Sequence, residues 1–156
     1  MEQIDLRVNT KHGNFSCRVA ALILQDGRLL TAKHRDYPYY YTVGGGVRLN
    51  ETSEEAAIRE VWEETGCILE PERLTFIQER FYESGGKSGH EIVFFYRMKE
   101  ASISIADGTF ADQGGKESLH WLPIDRMAET NLIPTFLKTE LLEVRDRIVH
   151  IVTKET

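Results

Sequence analysis

GGVRLNETSEEAAIREVWEETGC, residues 45–67, is the segment on which the reading of this chain turns. Residues 53–65 predict a helix, because Ile58, Val61, Trp62 and Thr65 recur on one face at helical spacing. Thr52 and Glu55 have the Thr-x-x-Glu spacing of a capping box, and Gly66 is placed to end the helix. Between Glu51 and Gly66 stand six glutamates (51, 54, 55, 60, 63 and 64) against one arginine, Arg59. Glu60, Glu63 and Glu64 share a face at i, i+3 and i+4, read as opposite the apolar stripe.

The ordinary explanation of a glutamate run is a solvated helix face. Two features argue against it here. Like charges about 5.5 Å apart repel by roughly 0.8 kcal/mol in water and about 3 kcal/mol at an effective dielectric near 20. Glu63 and Glu64 also occupy the last helical turn, where the helix dipole favours cations, and the helix has no lysine. A bound divalent cation relieves both problems. Carboxylate oxygens without histidine or thiolate favour Mg²⁺, or Mn²⁺, over zinc.

Outward from this segment the chain reads as one domain, residues 1–156, without repeats or linkers. Residues 17–24 (CRVAALIL) and 28–35 (RLLTAKHR) predict two strands joined at Asp26-Gly27, a hairpin signal because both residues tolerate positive φ. An aromatic run, Tyr37 to Tyr41, leads into Gly44-Gly45-Gly46. Residues 74–82 and 91–98 predict further strands with a loop at 83–90, and 102–105 (SISI) and 117–123 two more. Residues 134–150 predict an amphipathic C-terminal helix with Phe136, Leu137, Leu141, Leu142, Val144 and Ile148 apolar. Strands before, between and after helices predict an α/β (α+β) fold with a mixed sheet.

Composition narrows the function. The 156 residues are 41% hydrophobic and 28% charged, with net charge −6, which fits a soluble globular chain and disfavours a nucleic-acid-binding surface. An anionic substrate therefore needs local cations. Cys17 and Cys67 have no zinc spacing and fit a reducing cytoplasm; no signal peptide or membrane span is expected.

Residues 45–67 resemble the Nudix box, G-x5-E-x7-R-E-U-x-E-E-x-G-U with U a bulky aliphatic. Gly45, Glu51, Arg59, Glu60, Val61, Glu63, Glu64 and Gly66 fit, and Cys67 replaces the last aliphatic. Val43 stands where a proline often precedes the glycines, Arg48 where an acid is frequent, and Asn50 where glycine is common. The resemblance implies an α/β/α sandwich and a Mg²⁺-dependent hydrolase that cleaves a diphosphate bond in a nucleotide-like small molecule. It implies that Glu60, Glu63 and Glu64 bind metal, with the Gly45 carbonyl and Glu117 as further ligands, and that Glu60 is one candidate to activate water. Arg59 is expected to point away from the glutamate face and pair with Glu51, locking the loop to the helix. Lys33, Arg35, Gly44 and Arg48 are substrate-binding candidates. Tyr37, Tyr39, Tyr40 and Tyr41 offer rings for a base. Lys87 and His90 are weaker candidates, and Trp121 is expected in the core.

Two other functions share the fold: an isoprenoid diphosphate isomerase, and a ligand-sensing module without catalysis. The intact glutamates favour the hydrolase. A small-molecule diphosphate is the expected partner, and a monomer or homodimer the expected assembly.

Overall fold

The computed structural model describes residues 2–111, 114–143 and 145–155. Among the described residues there are ten strands: β1 (Arg7–Asn9), β2 (Gly13–Leu22), β3 (Leu24–Gln25), β4 (Arg28–His34), β5 (Tyr40–Gly46), β6 (Pro71–Ser84), β7 (Lys87–Met98), β8 (Glu117–Pro123), β9 (Leu132–Ile133) and β10 (Val149–Lys154). Helix α1 (Ser53–Thr65) follows β5, a 3₁₀ turn (Ile124–Glu129) follows β8, and α2 (Leu137–Glu140) follows β9. The strand order is β10-β6-β7-β2-β5-β4-β3, with β1 beside β2, β8 beside β4 and β9 beside β5. The β10–β6 and β2–β7 pairs are parallel and β6–β7, β2–β5 and β4–β5 antiparallel, so the sheet is mixed.

Strand alternation sorts β2 into two cores. Val19 and Ala21 lie with Ala56, Ala57 and Val61 of α1, while Ala20 and Leu22 lie with Phe76, Phe95, Met127 and Leu137 on the other face. The result is the expected α/β/α sandwich. β5 joins its two parts, since Val43 to Gly46 pair with β2 whereas Tyr41 and Thr42 pair with β4.

Local chemistry sets the turns. Asp26 and Gly27 both have positive φ (52° and 70°) and close the β3–β4 hairpin. Thr52 caps α1 with both capping-box bonds, and Gly66, at φ 74°, donates its N–H to the Trp62 carbonyl.

Four expectations change. The predicted loop at 83–90 is mostly strand, with only Gly85-Gly86 turning, because pairing continues to Ser84 opposite Lys87. Residues 102–105 form no strand. The Gln25 side chain brackets Ile103 from both sides instead (3.1 and 2.9 Å), and the Trp121 indole N–H donates to the Ile105 carbonyl. The C-terminal helix shrinks to Leu137–Glu140, and His150 belongs to β10. Val149 and Ile151 alternate inward there and pack beneath α2, a period of two that outweighs the helical spacing; Val144 lies outside the described residues. Finally, Trp62 is 56% exposed. The covered stripe of α1 runs Ala56, Ala57, Val61 and on through Glu60 and Glu64, so two glutamates share the core-facing side instead of opposing it. Trp121 is buried as expected. Among the described residues no helix is long and apolar enough to cross a membrane.

Candidate active site

The site forms where β5 runs out of its pairing with β2. A Cβ on Gly44 would stand 2.2 Å from the Val19 carbonyl oxygen, and one on Gly45 would stand 2.3 Å from the Glu60 carboxylate. Glycine therefore lets β5 lie close on β2 and lets the Glu60 head rest against the loop. The loop then turns through Asn50 (φ 67°) into the α1 cap.

Arg59 ties the loop to the helix. Its Nε and Nη2 donate to the two Glu51 oxygens at 2.8 and 2.9 Å, and Nη2 also reaches the Gly46 carbonyl at 2.8 Å. This pairing lowers the Glu51 pKa and raises that of Arg59. The expected Arg59–Glu51 pair is present. The expectation that Arg59 points away from the other glutamates is not met. Its Nη1 lies 2.8 Å from Glu60 and 3.3 Å from Glu63, because a flexible stem can bend a guanidinium back over the next turn.

The three box glutamates differ in setting. Glu63 is partly exposed and also lies 3.5 Å from Arg48. Glu60 is mostly covered, and burial raises its pKa despite Arg59. Glu64 is pushed up to about 9, first by burial and then by the charges of Glu60 and Glu117, with the Gly44 N–H opposing. Its Oε2 is buried and has no hydrogen-bond partner. Glu117, far away in sequence, reaches the same place, where its charge acts on Tyr41 and Glu64. Burial, then Glu117 and Glu64, raise the Tyr41 pKa.

These donors fit a hard divalent cation. A buried carboxylate oxygen without a partner and crowded glutamate charges are both relieved by one, and the donor atoms are oxygens. Among the described residues no three acidic, histidine or cysteine side chains already form a cage. Glu60 and Glu63 lean on Arg59 instead, which holds part of the charge a metal would neutralise.

A cleft of about 580 Å³ opens at Gly44 and Glu117 and runs over the sheet face of Ala20 and Phe95, a size that suits a small organic ligand. One wall is aromatic: Tyr37 stacks on Tyr39 (5.5 Å, 8° between planes) and Tyr39 meets Tyr41 at an angle. The floor holds Arg18, Gln78, Arg80 and Glu91, and Gly44, His34 and Glu117 complete the lining. Of the candidates named from sequence, Gly44, Tyr37, Tyr39, Tyr41 and Glu117 line this cleft. Lys33 lies over the Tyr40 ring, one strand position off the cleft-facing His34; Arg35 is exposed beside Asp36. Arg48 lies against Glu63, and His90 is sandwiched by Phe15 and Phe81 while Lys87 is exposed at the hairpin end. Sequence reasoning missed Arg18, Gln78, Arg80 and Glu91. The available signal was polar residues interrupting apolar strands, as Arg18 does in CRVAALIL.

The NUDIX domain model matches residues 16–139, and the chain belongs to the Nudix family. A MutT-like protein of Streptomyces ambofaciens is 43% identical over 61 residues, a match covering 38% of this chain and only 40% of that relative. Among solved structures, a MutT protein from Bacillus halodurans superposes with a TM-score of 0.68 at 18% identity, over 89% of this chain and 90% of that one. An ADP-ribose pyrophosphatase from Streptococcus suis does so with a TM-score of 0.56 at 14% identity, over 86% and 98%. At these identities the structural likeness concerns the fold.

Proposed function

We propose that this chain is a Mg²⁺- or Mn²⁺-dependent pyrophosphohydrolase that cleaves a diphosphate bond in a nucleotide-like small molecule. The observation that carries the reading is Glu64: a buried carboxylate with an unpartnered oxygen, close to the charges of Glu60 and of Glu117, the latter a lining residue of a ligand-sized cleft.

In this reading Glu60, Glu63 and Glu64 hold the metal, with Glu117 and the Gly45 carbonyl as further donors. When bound, such a cation would offset phosphoryl charge and acidify water. Glu60 is one candidate to take a proton from the attacking water. Arg59 keeps Glu51 and the loop in place, and Gly44 and Gly45 leave room for the carboxylates. The Tyr37–Tyr39 stack offers a flat apolar surface for a base. The favoured partner is a small molecule, in a cytoplasmic protein that is a monomer or homodimer.

The test is a phosphate-release screen of the purified protein across nucleoside diphosphate derivatives and nucleoside triphosphates, with Mg²⁺ or Mn²⁺. Metal-dependent turnover of at least one anhydride is expected. Tight binding of such compounds without turnover under any metal would favour a sensing module and contradict the reading.

A further inference from the structure

We propose that Arg18 is the substrate's phosphate anchor on the strand side of the cleft, opposite the acidic helix. The inference rests on the reading that the cleft takes a diphosphate.

Arg18 sits in β2 level with Gly46 on β5 and Val93 on β7. It shares the parity of Ala20, so it lines the cleft, whereas Val19 turns into the core beneath α1. Its charge acts on both Glu60 and Glu64, weakly opposing the rise of their pKa values, so the guanidinium lies within electrostatic reach of the acidic helix. Among the described residues, however, no carboxylate lies within ion-pairing distance of it.

The other arginines and lysines near the site are committed. Arg80 also lines the cleft, but it lies 3.1 Å from Glu91 and 2.7 Å from Glu155. Arg59 is held by Glu51 and Glu60, Arg48 by Glu63, and Lys33 lies over Tyr40. The His34 ring faces the cleft, yet its Nδ1 accepts the Asp36 N–H. Arg18 is thus the one cleft-lining guanidinium without an anion among the described residues. A partly buried guanidinium in this position is completed by an anionic oxygen, and its planar fork suits two oxygens of one phosphoryl group.

The arrangement also answers a charge problem. Glu91 and Glu117 line the cleft and Glu60 and Glu64 lie close to Glu117, and a metal held on α1 would offset this charge on one side only. Arg18 supplies positive charge on the facing side, so a diphosphate is gripped between metal and guanidinium. That grip is made in the ground state as well as during reaction, so its loss should appear mainly in KM.

The experiment uses Arg18→Gln and Arg18→Lys, with Lys99→Gln as control because that exposed pair with Glu70 lies outside the cleft. ADP and inorganic pyrophosphate binding are measured by calorimetry in Mg²⁺, alongside melting temperatures and kinetics on the best substrate. The glutamine variant should bind both probes about 10- to 100-fold more weakly, the range expected for a lost charge-assisted bond. KM should rise similarly, lysine should restore part of the loss, and the Mg²⁺-induced melting shift should persist. Unchanged probe affinity in a folded Arg18→Gln would overturn the proposal, as would a wild type that binds neither probe. Should the variant bind Mg²⁺ more tightly yet keep wild-type probe affinity, Arg18 is only a counter-charge to the glutamates, and the proposal fails. A wild type that binds pyrophosphate without hydrolysing any anhydride, and loses that binding in Arg18→Gln, supports the anchor while refuting the hydrolase.

Discussion

Glu64 on α1 and Glu91 on β7 are both covered carboxylates, and they are treated in opposite ways. Glu91, 8% exposed, faces Arg80 at 3.1 Å, with Ser16 and Tyr82 at the limit of hydrogen bonding. Arg80 in turn lies over the Tyr82 ring and against Glu155. Glu64 has instead a partnerless oxygen and two carboxylates nearby, and it holds a proton up to about pH 9. The first acid is satisfied by the protein itself. The second is satisfied only by a proton or by something that binds. Folding alone does not account for Glu64, and that is the physical reason to place function there.

The largest expected effect comes from removing the unsatisfied acid. Glu64→Gln should lower turnover by about 10³-fold, since a metal supplies several kcal/mol of transition-state stabilisation. The metal-free protein should not be destabilised, and its pH dependence should change in a defined sense. The folded-state pKa of Glu64 is raised, so the stability it contributes is full below its ordinary value and is lost as pH rises through about 9. Wild type without metal should lose stability over that window, and Glu64→Gln should lose less; urea melts from pH 5 to pH 9 read the difference. Mg²⁺ binding near pH 7 should also release a proton from wild type, visible as buffer-dependent heats.

Arg59→Ala probes the border between the two kinds of acid. It strips Glu51 and Glu60 of their shared cation and should cost about 3 kcal/mol, the range for breaking a buried pair. Mg²⁺ affinity should fall much less, because the same change releases Glu60 and Glu63. A mutant that melts like wild type would show that the loop does not depend on this pair.

Glu91→Gln should behave as a stability mutant. It should cost about 2 kcal/mol, the scale of a hydrogen bond to a charged group, and leave the Mg²⁺-induced melting shift intact. A lost metal shift with unchanged stability would invert the comparison. Thr52→Ala removes the α1 cap and should cost about 1 kcal/mol. Lys33→Gln should alter stability and turnover little, within roughly ±0.5 kcal/mol, because Lys33 lies over Tyr40 and off the cleft.

The same contrast explains what could be read in the residues. Glu60, Glu63, Glu64, Arg59 and Glu51 lie within fourteen consecutive positions, and helix geometry fixes their relations. Their grouping was legible, as was the Asp26-Gly27 turn. The face was misjudged because Trp62 counted as core when Ala56 and Ala57 fill that space; small residues let α1 lie close to the sheet, and a large apolar side chain signals burial more loudly. The cleft floor comes from β2, β6 and β7, and only strand register brings Arg18, Gln78 and Glu91 together. The β2–β7 register that brings Arg18 to them pairs it with Val93, a distant partner that no local spacing encodes. The C-terminal strand was hidden for a similar reason, since β10 pairs with β6 far upstream.

The most direct test of the central claim is the melting temperature with and without Mg²⁺, for wild type and Glu64→Gln side by side. A ligand that binds only the folded state stabilises it by mass action, by about 2.7 kcal/mol at a hundredfold excess over Kd. If the acidic helix is a cation site, wild type should melt several degrees higher in saturating Mg²⁺, and Glu64→Gln should gain clearly less. Equal shifts in the two proteins, or no shift in either, would contradict it.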